Sequence, residues 1–137
     1  MTTNTNMCVF NKYTKITTNE NTNETTKELK FKKHIIDNVF WDDSQGVNLR
    51  NGYDKNDLVN VYIPKDKNDM SGYVKPKQYN GNGWTLQNGD FIIKGLVTET
   101  EVSGIKDLAA YETFTITMVD DKDFGSKNMH HFEIRGK

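Results

Sequence analysis

The chain has 137 residues, 34% hydrophobic and 11% aromatic, which is enough for one small core and too little for two domains. Eighteen basic against nineteen acidic residues leave a net charge of -1, which argues against binding nucleic acid through bulk charge. No apolar run approaches the ~18 residues of a membrane-crossing helix.

The first six residues lack the basic and apolar regions of a signal peptide, so export by that route is not expected. Cys8 is the one cysteine; it excludes an internal disulfide and a multi-cysteine zinc site, and it suits a reducing compartment.

Residues Met7 to Ile16 alternate loosely between apolar and polar and predict a first strand. Thr17 to Thr26, TTNENTNETT, contains nothing to bury and predicts a polar, mobile hairpin tip. Leu29 and Phe31 then share one face of a second strand, with Lys30 and Lys32 on the other. Ile35-Ile36 breaks the alternation, predicting a bulge or burial on both faces. Asp42 to Gly46 ends the strand, and Asn51-Gly52 is a favoured turn.

Leu58 to Ile63 predicts a short strand stopped by Pro64. Lys65 to Gly83 is polar and turn-rich, with Tyr73, Val74 and Tyr79 as its few anchors; loops of this length in a small domain are commonly functional or disordered. Trp84 and Leu86 predict a strand entering the Asn88-Gly89 turn. Phe91 to Val97 is the most apolar run, interrupted by Gly95, and Thr98 to Val102 continues it. Ile105, Leu108 and Ala109 have the spacing of one buried helical stripe behind Ser103-Gly104. Phe114, Ile116 and Met118 alternate with threonines, and Phe132 and Ile134 mark a last strand.

About seven strands and one short helix, without α/β alternation, predict an all-β fold in a single domain: a small curled barrel or sandwich with long loops.

Little in the chain points to catalysis. His130 and His131 are adjacent, and neighbouring side chains on a strand face opposite ways, so they do not chelate one ion together. Asp120, Asp121 and Asp123 precede Gly125 as in a calcium loop, but the position for the bidentate carboxylate is Phe132, and a solvated turn is expected. Asp123-Phe124-Gly125 spells the kinase magnesium triplet without the other kinase motifs. The expectation is therefore no catalytic residues, no metal and no cofactor.

Trp41 and Trp84 each end a strand beside a polar segment. They either close the core or, with Asp42 and Asp43, anchor a subunit interface, where tryptophan often concentrates binding energy.

Several phrases in order resemble a family of small virion proteins from tailed phages of Gram-positive bacteria. They are Val39-Phe40-Trp41-Asp42-Asp43, Val61-Tyr62-Ile63-Pro64, Leu86-Gln87-Asn88-Gly89-Asp90, Ile93-Lys94-Gly95, Ile105-Lys106-Asp107-Leu108, and Gly125-Ser126 with Met129-His130-His131-Phe132-Glu133.

The resemblance implies a non-enzymatic head–tail connector, of the head-completion or stopper type, in the virion neck after assembly in the bacterial cytoplasm. It implies a six- or twelve-fold ring of copies that touches portal, adaptor and tail-terminator proteins and lets packaged DNA through, with no membrane involved. The long loop, through Lys65, Lys67, Tyr73, Lys75, Lys77 and Tyr79, is the expected channel-facing or neighbour-contacting element, and its removal is expected to leave the domain folded. A tail-terminator protein is the alternative within this class. A carbohydrate-binding module using Trp84, or a metalloenzyme using His34 or His131, are the alternatives outside it.

Overall fold

The computed structural model describes residues 3–43 and 59–137; the predicted Asn51-Gly52 turn lies outside them. The fold is all-β. Its strands are β1 (Thr5–Asn19), β2 (Glu24–Asp42), β3 (Val59–Pro64), β4 (Phe91–Lys94), β5 (Glu101–Val102), β6 (Thr113–Lys122) and β7 (His131–Gly136). All of their pairings are antiparallel. The order β1-β4-β6-β7-β3-β2 returns to β1, because β1 also pairs with β2, so these strands close into a barrel. β5 adds to the outer side of β2 at Phe31 and Lys32.

The period of two along each strand sorts the apolar residues into two cores. Met7 and Val9 of β1, Ile36, Val39 and Trp41 of β2, Val61 and Ile63 of β3, Ile92 of β4, Phe114 and Ile116 of β6, and Phe132 and Ile134 of β7 belong to one cluster. Cys8, Phe10, Phe91 and Ile93 alternate with these and meet Phe31, Val97, Val102 and Leu108 in a second. That double burial explains the unbroken apolar runs Met7–Phe10 and Phe91–Ile93, which serve both sides of the barrel wall. Burial also pushes the Cys8 thiol above its ordinary pKa.

The predicted irregularity in β2 is present. Met7 faces Ile36 but Thr5 faces Val39, so β2 carries one extra residue there. The backbone freed by this bulge is taken up by Asn68, whose Nδ2 donates to the Asn38 carbonyl at 2.8 Å and whose Oδ1 accepts from the Asn38 N–H at 3.3 Å.

Three predicted elements differ. The short helix is a 3-10 turn, Ile105–Leu108, in which Leu108 is buried but Ile105 is 46% exposed; four residues give too few hydrogen bonds to hold a helical stripe. Trp84–Leu86 is no strand but a single bridge from Trp84 to Tyr73. The strand expected over Thr98–Val102 shortens to Glu101–Val102, because Gly95 turns the chain away from β4 at φ +89°.

Candidate functional site

The segment from Lys65 to Gly83, expected as a separable loop, is built into the barrel. Val74 donates to the Trp84 carbonyl at 2.8 Å and Trp84 donates to the Gly72 carbonyl at 3.0 Å. Gly83 makes this approach possible: its φ is +76°, and a Cβ there would lie 2.3 Å from the Gly72 oxygen. Met70 and Tyr73 pack on the main core, with the Tyr73 ring 5.2 Å from Trp84 and 5.0 Å from Phe132. Removing the segment would strip these contacts, which weighs against the expectation that the domain folds without it.

The residues expected to act together on this segment have different settings. Lys65 holds Asp121 at 2.6 Å and Asp123 at 2.5 Å, with its ammonium 4.5 Å above the Phe132 ring. Burial opposes the Lys65 charge, but the two carboxylates outweigh it and its pKa rises; Lys65 in turn holds Asp123 below the ordinary carboxylate pKa. Asp121 and Asp123, each about half exposed, thus stay in contact with solvent and share one surface ion-pair network with Lys65.

Burial raises the Tyr73 hydroxyl's pKa. The Tyr79 hydroxyl is enclosed without a hydrogen-bond partner, and its pKa is pushed up to about 12 by burial and then by the Asp90 carboxylate. Lys67, Lys75 and Lys77 are exposed. The Lys67 carbonyl accepts from Asn38 Nδ2 at 2.8 Å.

Trp84, 2% exposed, is stacked under His34 at 4.6 Å, with the rings 5° from parallel. The stack lines a cleft of about 370 Å³ with Asp37, Asn68, Asp69 and Ser71. Burial holds the His34 pKa below its usual value, against the pull of Asp37 and Asp69. Covered in this way, the indole has no open face on which to stack a sugar. Trp41, 3% exposed, packs at 5.8 Å from Phe114, and its backbone N–H and carbonyl are both bonded to the Asn4 side chain. Both tryptophans thus lie in the chain's own core. Asp42 is half-buried opposite Asn60, and Asp43 is exposed beside a cleft of about 360 Å³ shared with Trp41, Lys94 and Glu112.

The remaining histidines are apart from His34. His130 Nδ1 is 3.7 Å from Asp123, and His131 Nδ1 is 2.8 Å from the Met129 carbonyl. Among the described residues no three His, Cys, Asp or Glu side chains converge on a common metal position.

Two features were not anticipated. One is a buried polar knot. Asp90 is fully buried and accepts from Asn11 Nδ2 at 3.0 Å and from the Lys12 N–H at 3.1 Å. Asn11 also donates to the Thr85 carbonyl at 2.7 Å and accepts from the Thr85 N–H at 3.1 Å. Burial raises the Asp90 pKa despite these donors. The knot ties β1 to the segment before β4, and nothing in the local sequence pairs residues so far apart.

The other is the outer half of β1 and β2. Their register is unbroken from Met7 opposite Ile36 to Asn19 opposite Glu24, whereas β4 accompanies β1 only as far as Phe10. Past Phe10 and Phe31 the pair leaves the barrel as a free ribbon of about 20 Å. Its root is braced. Tyr13 donates to Glu101 at 2.6 Å, Lys30 to Ser103 at 2.9 Å and Lys32 to the Gly81 carbonyl at 3.1 Å. From Ile16 to Leu29 every residue is exposed, including Ile16 at 62% and Leu29 at 54%. The turn is closed by Asn23, at φ 59°, donating to the Asn19 carbonyl. The tip expected as mobile is therefore mostly strand. Matching threonine pairs on either side of NENTNE, Thr17-Thr18 and Thr25-Thr26, were the available signal.

No curated protein and no solved structure matches the chain. Over residues 2–137 it matches a family of unknown function, DUF6751, and it belongs to that family.

Proposed function

We propose that this protein is a non-enzymatic component of the head–tail connector of a tailed phage, working as a ring of identical copies in the stopper position. The single observation that carries this reading is the free ribbon. The barrel fixes its root, yet every residue from Ile16 to Leu29 is exposed. A braced arm that presents two strand edges and large apolar side chains to solvent suits contact with other subunits better than it suits catalysis.

The sequence phrases from Val39 to Glu133 supply the virion context, and the exposed Lys67, Lys75 and Lys77 are a second surface open to neighbours. A ring needs two different faces on each copy, one given and one received.

Fractionation of particles tests the reading. The protein is expected in purified virions and in DNA-filled heads from a tail-less mutant. Recovery with free tails instead would move it to the tail-terminator position, and its absence from purified particles would overturn the proposal.

A further inference from the structure

The free ribbon has two open edges, and the hydrogen-bond alternation says which groups lie on them. Lys12 sends its N–H to Asp90 and its carbonyl to Gln87, both away from β2, and Lys33 sends its N–H to Thr100, away from β1. Backbone direction repeats every two residues in an antiparallel pair. Thr14, Ile16 and Thr18 therefore point their N–H and carbonyl groups outward on one edge, and Thr25, Lys27 and Leu29 do so on the other.

Among the described residues no strand takes up either set. Of the usual devices that blunt an edge, proline and a bulge are absent between Tyr13 and Leu29; the charges there are of both signs, Lys15 and Lys27 beside Glu28, so one edge can complement the other.

We infer that the β1 edge of one copy, Thr14–Thr18, pairs with the β2 edge of the next, Thr25–Leu29, so that the arms of a ring form one continuous antiparallel collar. This rests on the ring reading above. The occupant is a second copy because the two edges complement each other. β1 and β2 run in opposite directions, so placing arms side by side makes every new pairing antiparallel without further rotation. If each copy repeats toward its neighbour the register it has within itself, Lys15 comes opposite Glu28 and Ile16 opposite Lys27, although within one chain Lys15 reaches Glu101 and Glu28 reaches Lys30. One opposite-charge pair then lies beside one apolar contact on the seam, and the exposed Ile16 and Leu29 side chains gain cover. The contact is head-to-tail, the geometry that closes a ring.

Cross-linking of the full chain tests the inference. Thr14→Cys and Leu29→Cys are made as separate variants; native Cys8 is fully buried, which leaves the introduced thiol as the reactive one. Under mild oxidation an equimolar mixture is expected to give a reducible dimer that neither variant gives alone. Ile16→Pro removes an outward N–H and spares the hydrogen bonds inside the ribbon, so it is expected to lose the oligomer in native mass spectrometry and keep its β-sheet circular dichroism.

Equal dimer from Thr14→Cys alone would overturn the inference, because like edges would then be pairing. Wild-type oligomers without the mixed cross-link would overturn it and leave the ring reading standing. A chain that stays monomeric at every concentration would overturn it too, with the particle fractionation then deciding the ring reading separately.

Discussion

The segment from Lys65 to Gly83 and the ribbon from Lys12 to Lys30 are both polar stretches of similar length, and they do opposite things. The first wraps onto the barrel: Tyr73 packs beside Trp84 and Phe132, Lys65 is pinned by two carboxylates, and Gly83 lets the backbone pass within a carbonyl's reach. The second leaves the barrel, and every residue beyond its root is exposed. The difference teaches that polarity does not separate structural from interacting segments. A handful of anchors does. The loop has Tyr73 and Tyr79, with Trp84 and a buried hydrogen-bond knot at its end, while the ribbon has its anchors, Tyr13 and Lys30, at its base.

The strongest way to break the comparison is to remove the anchor beneath the loop. Trp84→Ala leaves a cavity under His34 and Tyr73 and is expected to cost about 3–5 kcal/mol, enough to unfold a domain of ordinary stability. Urea denaturation followed by circular dichroism measures it. A loss below about 1 kcal/mol would mean that the segment is as loosely attached as its composition suggests.

The knot should come next. Asp90→Ala leaves the Lys12 N–H and one Asn11 amide proton buried without their acceptor, at an expected cost of about 2 kcal/mol in the same measurement. Asp90→Asn keeps an acceptor and removes the cost of burying a charge, so it is expected to fall between wild type and Asp90→Ala.

How far these roles could be read from residues alone follows from the range of the interactions. The barrel strands were legible because their burial obeys a local period: Phe114, Ile116, Phe132 and Ile134 mark inward faces two residues at a time. The bulge in β2 was legible for the same reason, as a break in that period at Ile35-Ile36. The anchors were not. Asn11 meets Asp90, and Lys65 meets Asp121 and Asp123, across separations that only the closed barrel brings together.

The hairpin itself was expected, but the extension of its strands into residues 17–26 was not, for the converse reason. A strand pair with water on both faces needs no apolar alternation, so its only trace is the β-branched threonine of Thr17, Thr18, Thr25 and Thr26.

A smaller effect sharpens the electrostatic side. Lys65→Met keeps the stem on Phe132 and deletes the charge, so wild type should be the more stable at neutral pH. Asp123 has its pKa lowered by Lys65, so it remains ionised in the native state at a pH where the unfolded chain has begun to protonate it. Stability from such a group is present above the unfolded carboxylate pKa and lost as pH falls through the lower folded value. The gap in urea midpoint between wild type and Lys65→Met is therefore expected to be full at pH 7 and to close in acid, below the ordinary aspartate value of 3.8. A gap that stays constant through that range would show that the Lys65–Asp123 pair does not supply it.

The smallest expected effect on stability carries the most weight for function. Replacing residues 14–29 by a two-residue Asn-Gly turn removes only exposed side chains, the surface ion pairs of Lys15 and Glu28, and the ribbon's own strand pairs. It leaves the Tyr13–Glu101 and Lys30–Ser103 braces in place. The barrel should lose less than about 0.5 kcal/mol, the range of surface changes that disturb no buried group. Particle assembly should behave otherwise, because an arm cut back to its braces can no longer reach a neighbour, and joined heads and tails should be lost from lysates of the variant. Unchanged urea midpoint together with lost joining would separate the arm from the loop, whose anchor at Trp84 cannot be removed without a large loss of stability. Normal infectious yield from the shortened chain would instead return the interacting role to the exposed Lys67, Lys75 and Lys77, on the segment that holds the core.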